Sequence, residues 1–547
     1  MRRPISLSGI TLGSLLLSLL GCQEAPKPGP KAPKKAAKKA APDAAPDAGP
    51  PPSCTITFAA SAPFGAPDPL LAQDPEAQLL AVNAFEGLMR MPQHEGEVIP
   101  GAASGYTISP DGMTYTFTLR DGLKWSDGQP LTAKDFAFAW RRALQLKPEG
   151  VELTPLTRIE GAEAVMAGEP DAKLSIQTPD PKTLVVRLRH VDFGLPEWAA
   201  LPPTLPVPSH LFEPGQLTPK SWAFNGPFVL EAGRLVRNPH HRFWASVRPN
   251  SPREIPVSAV EAKVLDGEAA LKAVRAGEIS WTGFVPLELD WIPQPAEEVG
   301  YRADPTATLY VLAFNTKRGP AKSKDLRAIL SLAVNRPDLM AKIKGGLQMA
   351  HHLYPTLPGI AVASLLDESF VRAQDLMKQL KKKPKAPLQL IYQETAQLKA
   401  IAEVLKTNLE RLGLTLELAP LTPETSIEKA DIALVESGVS ARTFYDGLSP
   451  YFSAGGPNVF GVEHKEGASY LKDGLYTREK DGAYMELFQA EERLIRDHLF
   501  TPLLLKSRVH VFRGRGLGIN PVGAYALEHL ACPRPPADAQ RPRPGKG

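Results

Sequence analysis

At 547 residues the chain exceeds what one hydrophobic core usually supports, so it is expected to divide into several lobes or domains. Hydrophobic residues make up 43% and charged residues 22%, a balance that excludes a disordered chain and a multi-spanning membrane protein. The formal charge of +4 sits at the N-terminal end, where six lysines face Glu24, Asp43 and Asp47 behind Arg2 and Arg3; the remaining body is at about −1 and gives no case for nucleic acid.

Met1-Arg2-Arg3, an apolar stretch over 10–20 and Gly21-Cys22 predict an export signal, the stretch being too short for a comfortable membrane span. Leu19-Leu20-Gly21-Cys22 resembles the bacterial lipoprotein cleavage box, which implies a signal peptide over 1–22 and acylation of the Cys22 thiol. An ordinary signal cut near Gly21 and an uncleaved anchor stay open as alternatives. Residues 23–52 are nearly all Pro, Ala, Lys, Gly and Asp, without an aromatic or β-branched residue. They cannot bury enough apolar area to fold and are expected to form a disordered tether. Of the three cysteines, Cys54 and Cys532 then remain. In an oxidising compartment they are expected to pair, two separate thiols being the alternative.

The body opens with an alternating strand over 55–59 and a loop rich in Pro, Gly and Asp that runs to Pro69 and contains Phe64. Helical character over 79–88 is expected to stop at Gly87. The alternation over 114–119 predicts a half-buried strand with Tyr115, Phe117 and Leu119 inward. Thr132-Ala133-Lys134-Asp135 resembles a capping box and opens a helix that turns Phe136, Ala139, Trp140 and Ala143 to the core. A long helix is expected over 324–344, restarted at Pro337, and Lys381, Lys382, Lys383 and Lys385 read as a solvated loop. Residues 387–393, 398–412 and 414–419 read as a βαβ unit. Its helix puts Leu398, Ile401, Ala402, Leu405, Leu409 and Leu412 on one stripe and ends at Gly413, which implies parallel strands covered by helices. The Pro- and Arg-rich end from Pro533 is expected to be disordered.

Several short strings then follow one another in a specific order. They are Asn83-Ala84-Phe85-Glu86-Gly87-Leu88, Val98-Ile99-Pro100-Gly101, Ser109-Pro110-Asp111-Gly112 and Leu119-Arg120-Asp121-Gly122-Leu123-Lys124-Trp125-Ser126-Asp127-Gly128. Phe224-Asn225-Gly226-Pro227-Phe228, Arg237-Asn238-Pro239, Leu312-Ala313-Phe314-Asn315-Thr316 and the run from Leu326 to Arg336 continue the series. Together they resemble the oligopeptide/dipeptide/nickel-type solute-binding proteins (family 5) that serve ABC importers, over about residues 53–530. The resemblance implies an α/β, two-lobed periplasmic-binding-protein fold of type II, in its three-domain oligopeptide-binding variant. A discontinuous base lobe, domain I, is expected over 53–88, 200–308 and 512–535, an extra lobe, domain II, over 89–199, and the opposite lobe, domain III, over 309–511. Residues 536–547 are a tail. Trp125 to Gly128, Asn225-Gly226-Pro227 and Asn315 are read as turns and corners that hold the fold rather than touch ligand.

The resemblance further implies a peptide or other small solute as ligand, ABC permease and ATPase subunits as partners, a membrane reached through the lipid, and a monomer without cofactor or catalytic activity. Peptide binders of this family hold the ligand backbone like an added strand and pair its ammonium with an aspartate in the far lobe. Laid on this sequence, that motif falls on Ser437, Gly438, Val439 and Ser440, with Ser440 at the carboxylate position; a gapped register puts Thr443 there. Neither supplies the acid, and Asp446 and Glu436 are the nearby substitutes. An unpaired buried ammonium costs about 3–5 kcal/mol, so a free peptide N-terminus is disfavoured. Phe64, Phe138 and Lys506 complete the candidate contacts, and Lys506 with Arg442 would favour an anionic group, a solvated surface being the alternative. The adjacent histidines 240–241 and 351–352 diverge and make poor chelates, and no nucleophile elbow, phosphate loop or HExxH motif occurs. A receptor that has lost its ligand and acts as a scaffold or sensor is the remaining class.

Overall fold

The structure, a computed structural model, describes residues 54–533 apart from 93–96, 152, 244–253, 288–299, 344–346, 355–368, 423–424, 426, 439–443, 478–479, 513–526 and 528–530. The chain divides into Met1–Pro51 and Pro52–Gly547, and everything below concerns the second part. The signal, the tether and the tail beyond residue 533, with Cys22, Val439, Ser440, Arg442 and Thr443, lie outside the described residues.

Strand β1 (Thr55–Ala60) is followed by helix α1 (Pro75–Ala84), which starts where the Asp74 carboxylate accepts the Ala77 N–H and Pro75 presets the first turn. The helix ends at Ala84, three residues short of the expected stop. Phe85 turns to extended backbone, and Asn225 captures the next residue: Glu86 N donates to Asn225 Oδ1 at 3.1 Å and Asn225 Nδ2 to Glu86 O at 2.8 Å. Gly87 serves a close approach, since a Cβ there would lie 2.4 Å from the Ala199 carbonyl oxygen. The Glu86 carboxylate is buried and accepts from Arg242 Nη2 at 2.7 Å, with Arg90 Nη1 at 3.6 Å. Burial alone would raise its pKa; the hydrogen bonds from His241 and Arg242 and the charges of His241 and Arg90 outweigh that and hold it far below the usual carboxylate range.

Strands β2 (Ala103–Ile108) and β3 (Thr114–Leu119), helix α2 (Ala133–Leu146), and strands β4 (Ile176–Asp180) and β5 (Thr183–Arg187) form an antiparallel sheet in the order β2-β3-β5-β4 with α2 against it. Tyr115, Phe117 and Leu119 are buried as the alternation requires, and so are Phe136, Ala139, Trp140 and Ala143 behind the Thr132–Asp135 capping box. Strands β6 (Phe228–Glu231), β7 (Arg234–Arg237) and β8 (Ala259–Val264) and helix α3 (Gly267–Ala276) return to the first lobe. There β1 pairs in parallel with β8, Thr55 opposite Ala259, in the order β1-β8-β7-β6. One continuous core joins these two sheets: Phe58, Leu79, Trp125, Trp140 and Phe228 all belong to it. Their shared core makes the two sheets one packed body.

Two long strands leave this body, β9 (Gly300–Phe314) at once and β14 (Phe500–Phe512) on the return. Between them run α4 (Lys324–Leu332), α5 (Arg336–Lys342), β10 (Leu347–Met349), α6 (Phe370–Gln379), β11 (Leu388–Gln393), α7 (Ala396–Glu410) and β12 (Leu416–Leu421). Next come β13 (Ile432–Gly438), α8 (Phe444–Leu448), α9 (Lys465–Tyr476) and α10 (Lys480–Arg496). The six strands order as β10-β14-β9-β13-β11-β12, with β11 and β12 parallel around α7 as the βαβ reading requires. Helices α4 to α7 cover one face, around Leu312, Leu330 and Leu405, and α8 to α10 the other, around Val311, Tyr451 and Leu494.

The helix expected over 324–344 is broken. Asn335 sits in the left-handed region at φ 50° and caps α5, whose Pro337 restarts the turn. The break turns the fully buried Arg336 toward the sheet, where its Nε donates to Ala350 O and Leu503 O, each at 3.0 Å; burial lowers its pKa to about 9. Strands β9 and β14 pair over 300–305 with 507–512 and again over 309–313 with 500–505, the register shifting between Pro305 and Leu309. Thr282 N donates to Val511 O at 2.9 Å and Val511 N to Thr282 Oγ1 at 3.0 Å, tying the end of β14 to the first body. The lobes are thus joined by two crossing strands whose ladder is irregular midway, the place where a hinge bends at least cost.

Candidate functional site

In α/β sheets the crevice beyond the carboxyl ends of the strands is where ligands are held. Here β13 runs to Gly438, paired on one side with β9 as far as Thr308, while on the other side β11 accompanies it only to Tyr392 opposite Leu434. Alternate residues of a strand present their N–H and C=O to the same edge. Past Leu434, the groups facing the β11 side therefore belong to Glu436 and Gly438. The chain turns away at Gln393, whose carbonyl accepts from Thr395 N at 2.8 Å, and its carboxamide oxygen accepts the Glu436 N–H at 2.8 Å. Gly438 is exposed. Among the described residues none pairs with the β11 side of Gly438, at the mouth of the sheet.

Around that edge, Lys506 Nζ lies 3.7 Å from Glu436 Oε1, and Tyr310, opposite Glu436 on β9, donates its hydroxyl to Gln397 Oε1 at 2.5 Å. Burial raises the Tyr310 pKa and the Glu436 charge raises it further. A second surface faces the β2-β3-β5-β4 sheet. The Arg158 guanidinium lies 5.7 Å from the Tyr445 ring centre on α8, and the His190 ring 6.4 Å from that of Tyr476 on α9. Arg158 is fixed by Asp192 Oδ2 at 2.5 Å, both side chains being buried, while the Asp192 carbonyl accepts the Tyr115 hydroxyl at 2.7 Å. Tyr484 of α10 is raised in pKa by burial first and then by carboxylates of the opposite side, among them Glu197, Glu97 and Asp192. The seam thus sets tyrosines of one lobe against an arginine and carboxylates of the other.

The residues singled out in the sequence are distributed unevenly. Ser437 is buried on the face of α8 to α10, and its Oγ accepts the Tyr451 hydroxyl at 3.0 Å. Phe64 packs on Phe58, ring centres 5.9 Å apart, and Phe138 edge-on against Phe212 at 4.8 Å. Gly438 ends β13 at that edge, and Lys506, on β14 two strands away, reaches only the Glu436 carboxylate. Cys54 is disulfide-bonded, and the backbone of Cys532 lies opposite Ile255. His241 Nε2 lies 3.5 Å from Glu86, and His352 Nδ1 3.3 Å from the buried Glu491. Among the described residues no group of three His, Cys, Asp or Glu side chains is placed to hold a metal ion, and no helix is long and apolar enough to cross a membrane. Arg158, Asp192, Tyr445 and Gln393 carried no signal in the sequence, since each gains its place from a distant segment.

Two lobes with separate cores, a discontinuous first lobe and two crossing strands define a periplasmic-binding-protein fold of type II, the architecture of solute receptors. Residues 97–458 match the bacterial extracellular solute-binding proteins, family 5 (middle region), and the chain belongs to that family. It is 29% identical over 297 residues to the oligopeptide-binding protein OppA of Bacillus subtilis (strain 168), covering 51% of this chain and 52% of that protein. It is 30% identical over 295 residues to the probable deoxycholate-binding periplasmic protein YgiS of Escherichia coli (strain K12), covering 51% and 53%. The chain thus spans about half the length of these two curated relatives. The unliganded open form of the murein tripeptide binding protein MppA of Escherichia coli shares the fold at a TM-score of 0.75 and 21% identity, covering 88% of this chain and 98% of the other.

Proposed function

We propose that the protein is the lipid-anchored receptor of an ABC importer, which captures a peptide or peptide-like solute between its lobes and delivers it to the permease and ATPase subunits. The observation that supports this reading is the β11 side of β13 at Gly438, which no described residue pairs: main-chain hydrogen bonds from such an edge hold an extended backbone without reading its side chains. Cys22 carries the lipid and residues 23–52 the tether, so the receptor stays on the outer face of a membrane as a monomer. Cys54 pairs with Cys532, closing the first lobe. Domain I takes residues 53–88, 200–308 and 512–535, domain II 89–199 and domain III 309–511.

A second reading has its own support. Ser437 spends its hydroxyl on Tyr451 and Lys506 stands beside Glu436, so the described part of this edge shows no carboxylate set aside for an ammonium. The relative from Escherichia coli bears the name of a probable deoxycholate-binding protein. A non-peptide, amphipathic carboxylate is therefore the alternative ligand. Mass spectrometry of solutes released from the purified protein separates the two: peptides support the first reading, and a steroid or other non-peptide acid replaces it by the second. Calorimetry with free and N-acetylated peptides tests the charge argument, with capping expected to leave affinity within threefold. Replacing Cys22 by Ser is expected to move the protein from the membrane to the soluble fraction.

A further inference from the structure

Two side-chain contacts bridge the seam between the β2-β3-β5-β4 sheet and helices α8 and α9, and chain connectivity accounts for neither. The strands that join the lobes are tied down elsewhere: β14 bonds to Thr282, next to Trp281, whose carbonyl accepts from Ala59 of β1. The seam contacts therefore depend on how the lobes are set against each other. On one side, Arg158 and His190 stand on two segments bonded together, Arg189 N donating to Arg158 O at 2.8 Å and Ile159 bridging Leu188. Asp192 fixes the first of them: its Oδ2 takes Arg158 Nη1 at 2.5 Å and its Oδ1 the Gly194 N–H at 2.8 Å. On the other side, Tyr445 packs against the core under α8 to α10, and Tyr476 ends α9 with 57% of its surface exposed. The Arg158 guanidinium lies 5.7 Å from the centre of the Tyr445 ring, and the His190 and Tyr476 rings stand 6.4 Å apart with 69° between their planes. Both geometries are attractive ones, a planar cation over a ring and an edge-on ring pair.

We propose that Arg158 and His190 are positioning residues for solute capture: they form the receiving half of a clasp that Tyr445 and Tyr476 close, so that the β2-β3-β5-β4 sheet, and not the crossing strands alone, sets how long the lobes stay shut. This rests on capture by lobe closure and not on which solute is taken. The clasp is built to open, because Arg158 keeps its carboxylate when the lobes part. Parting costs the ring contacts and spares the buried ion pair. The cation over Tyr445 multiplies the ratio of clasped to parted protein by about twofold to thirtyfold, and the ring pair by about twofold to tenfold.

The experiment reads the distance between the lobes by double electron–electron resonance on the ligand-free, full-length protein. Spin labels are placed at Lys173→Cys and Lys472→Cys, both exposed and on opposite sides of the seam, in a Cys22→Ser background. Wild type is expected to populate the clasped distance. Tyr445→Leu is expected to lower the ratio of clasped to parted protein about twofold to thirtyfold, and Tyr476→Leu about twofold to tenfold. Tyr445→Phe, which keeps the ring, is expected to keep the wild-type distribution. Tyr476 is exposed, so its replacement spares the fold and keeps the test valid even where Tyr445→Leu misfolds. Unchanged distributions in Tyr445→Leu and Tyr476→Leu overturn the clasp. A loss in Tyr445→Phe as large as in Tyr445→Leu overturns the role given to Arg158. The distances are read without ligand, so failure of the wild type to retain peptide removes the peptide reading and leaves this test intact.

Discussion

Replacing Glu86 by Gln isolates one buried charge at the point where the first lobe is locked together. The side chain is 2% exposed, keeps nearly the same size in the substitution, and retains its backbone bonds to Asn225, so what changes is the charge facing Arg242, Arg90 and His241. Breaking a buried pair from one side costs about 3–5 kcal/mol. Arg242 keeps 36% of its side chain in solvent, which places the expectation near the lower end, about 3 kcal/mol at pH 7. The folded-state pKa lies far below the ordinary 4.5, so the stabilisation is complete above that value and drains away as the pH falls toward the folded pKa. Denaturant unfolding followed by tryptophan fluorescence should therefore show a constant gap between wild type and Glu86→Gln from pH 7 to about pH 5, and a narrowing gap below about pH 4.5. A gap under about 0.5 kcal/mol at pH 7, or one that widens on acidification, would refute the reasoning.

Ser437→Ala strands the buried Tyr451 hydroxyl and should cost about 1–3 kcal/mol in denaturant unfolding, while solute affinity by calorimetry stays within twofold. Arg158→Met leaves Asp192 buried beside an apolar chain and should cost about 3–5 kcal/mol in the same unfolding assay. Tyr445→Leu spares that pair and removes the ring facing Arg158, a contact worth about 0.5–2 kcal/mol, so it should weaken solute binding by about twofold to thirtyfold in calorimetry. Cys54→Ser and Cys532→Ser should each lower stability by about 2–4 kcal/mol, and the double variant should be no worse than either alone.

Features that depend on local periodicity or on a turn were readable in the sequence. The strand at 114–119, the capped helix after Thr132 and the βαβ unit around α7 follow from alternation, a cap and a Gly stop, each confined to a few residues. The end of α1 was not, because it is decided by Asn225, a residue 139 positions away that binds the backbone of Glu86. The break before α5 was half legible: Pro337 marked the restart, but the left-handed Asn335 and the burial of Arg336 depend on a carbonyl of the last strand. The candidate site shows the same division. Gly438 follows from the family pattern, whereas the bond from Glu436 N–H to the Gln393 carboxamide exists only because β11 stops pairing at Tyr392 while β13 runs on to Gly438. Ser437 was drawn into the candidate list by its position in that pattern, yet strand alternation sends its hydroxyl to the opposite face, where Tyr451 takes it.

Hydrogen exchange at Gly438, measured on the full-length protein with and without a saturating pool of short peptides, bears most directly on solute capture at the edge of β13. The account predicts that this amide slows by about tenfold or more when peptide is bound, as an added strand pairs that edge. Bound peptide that leaves Gly438 exchanging at its ligand-free rate would contradict it.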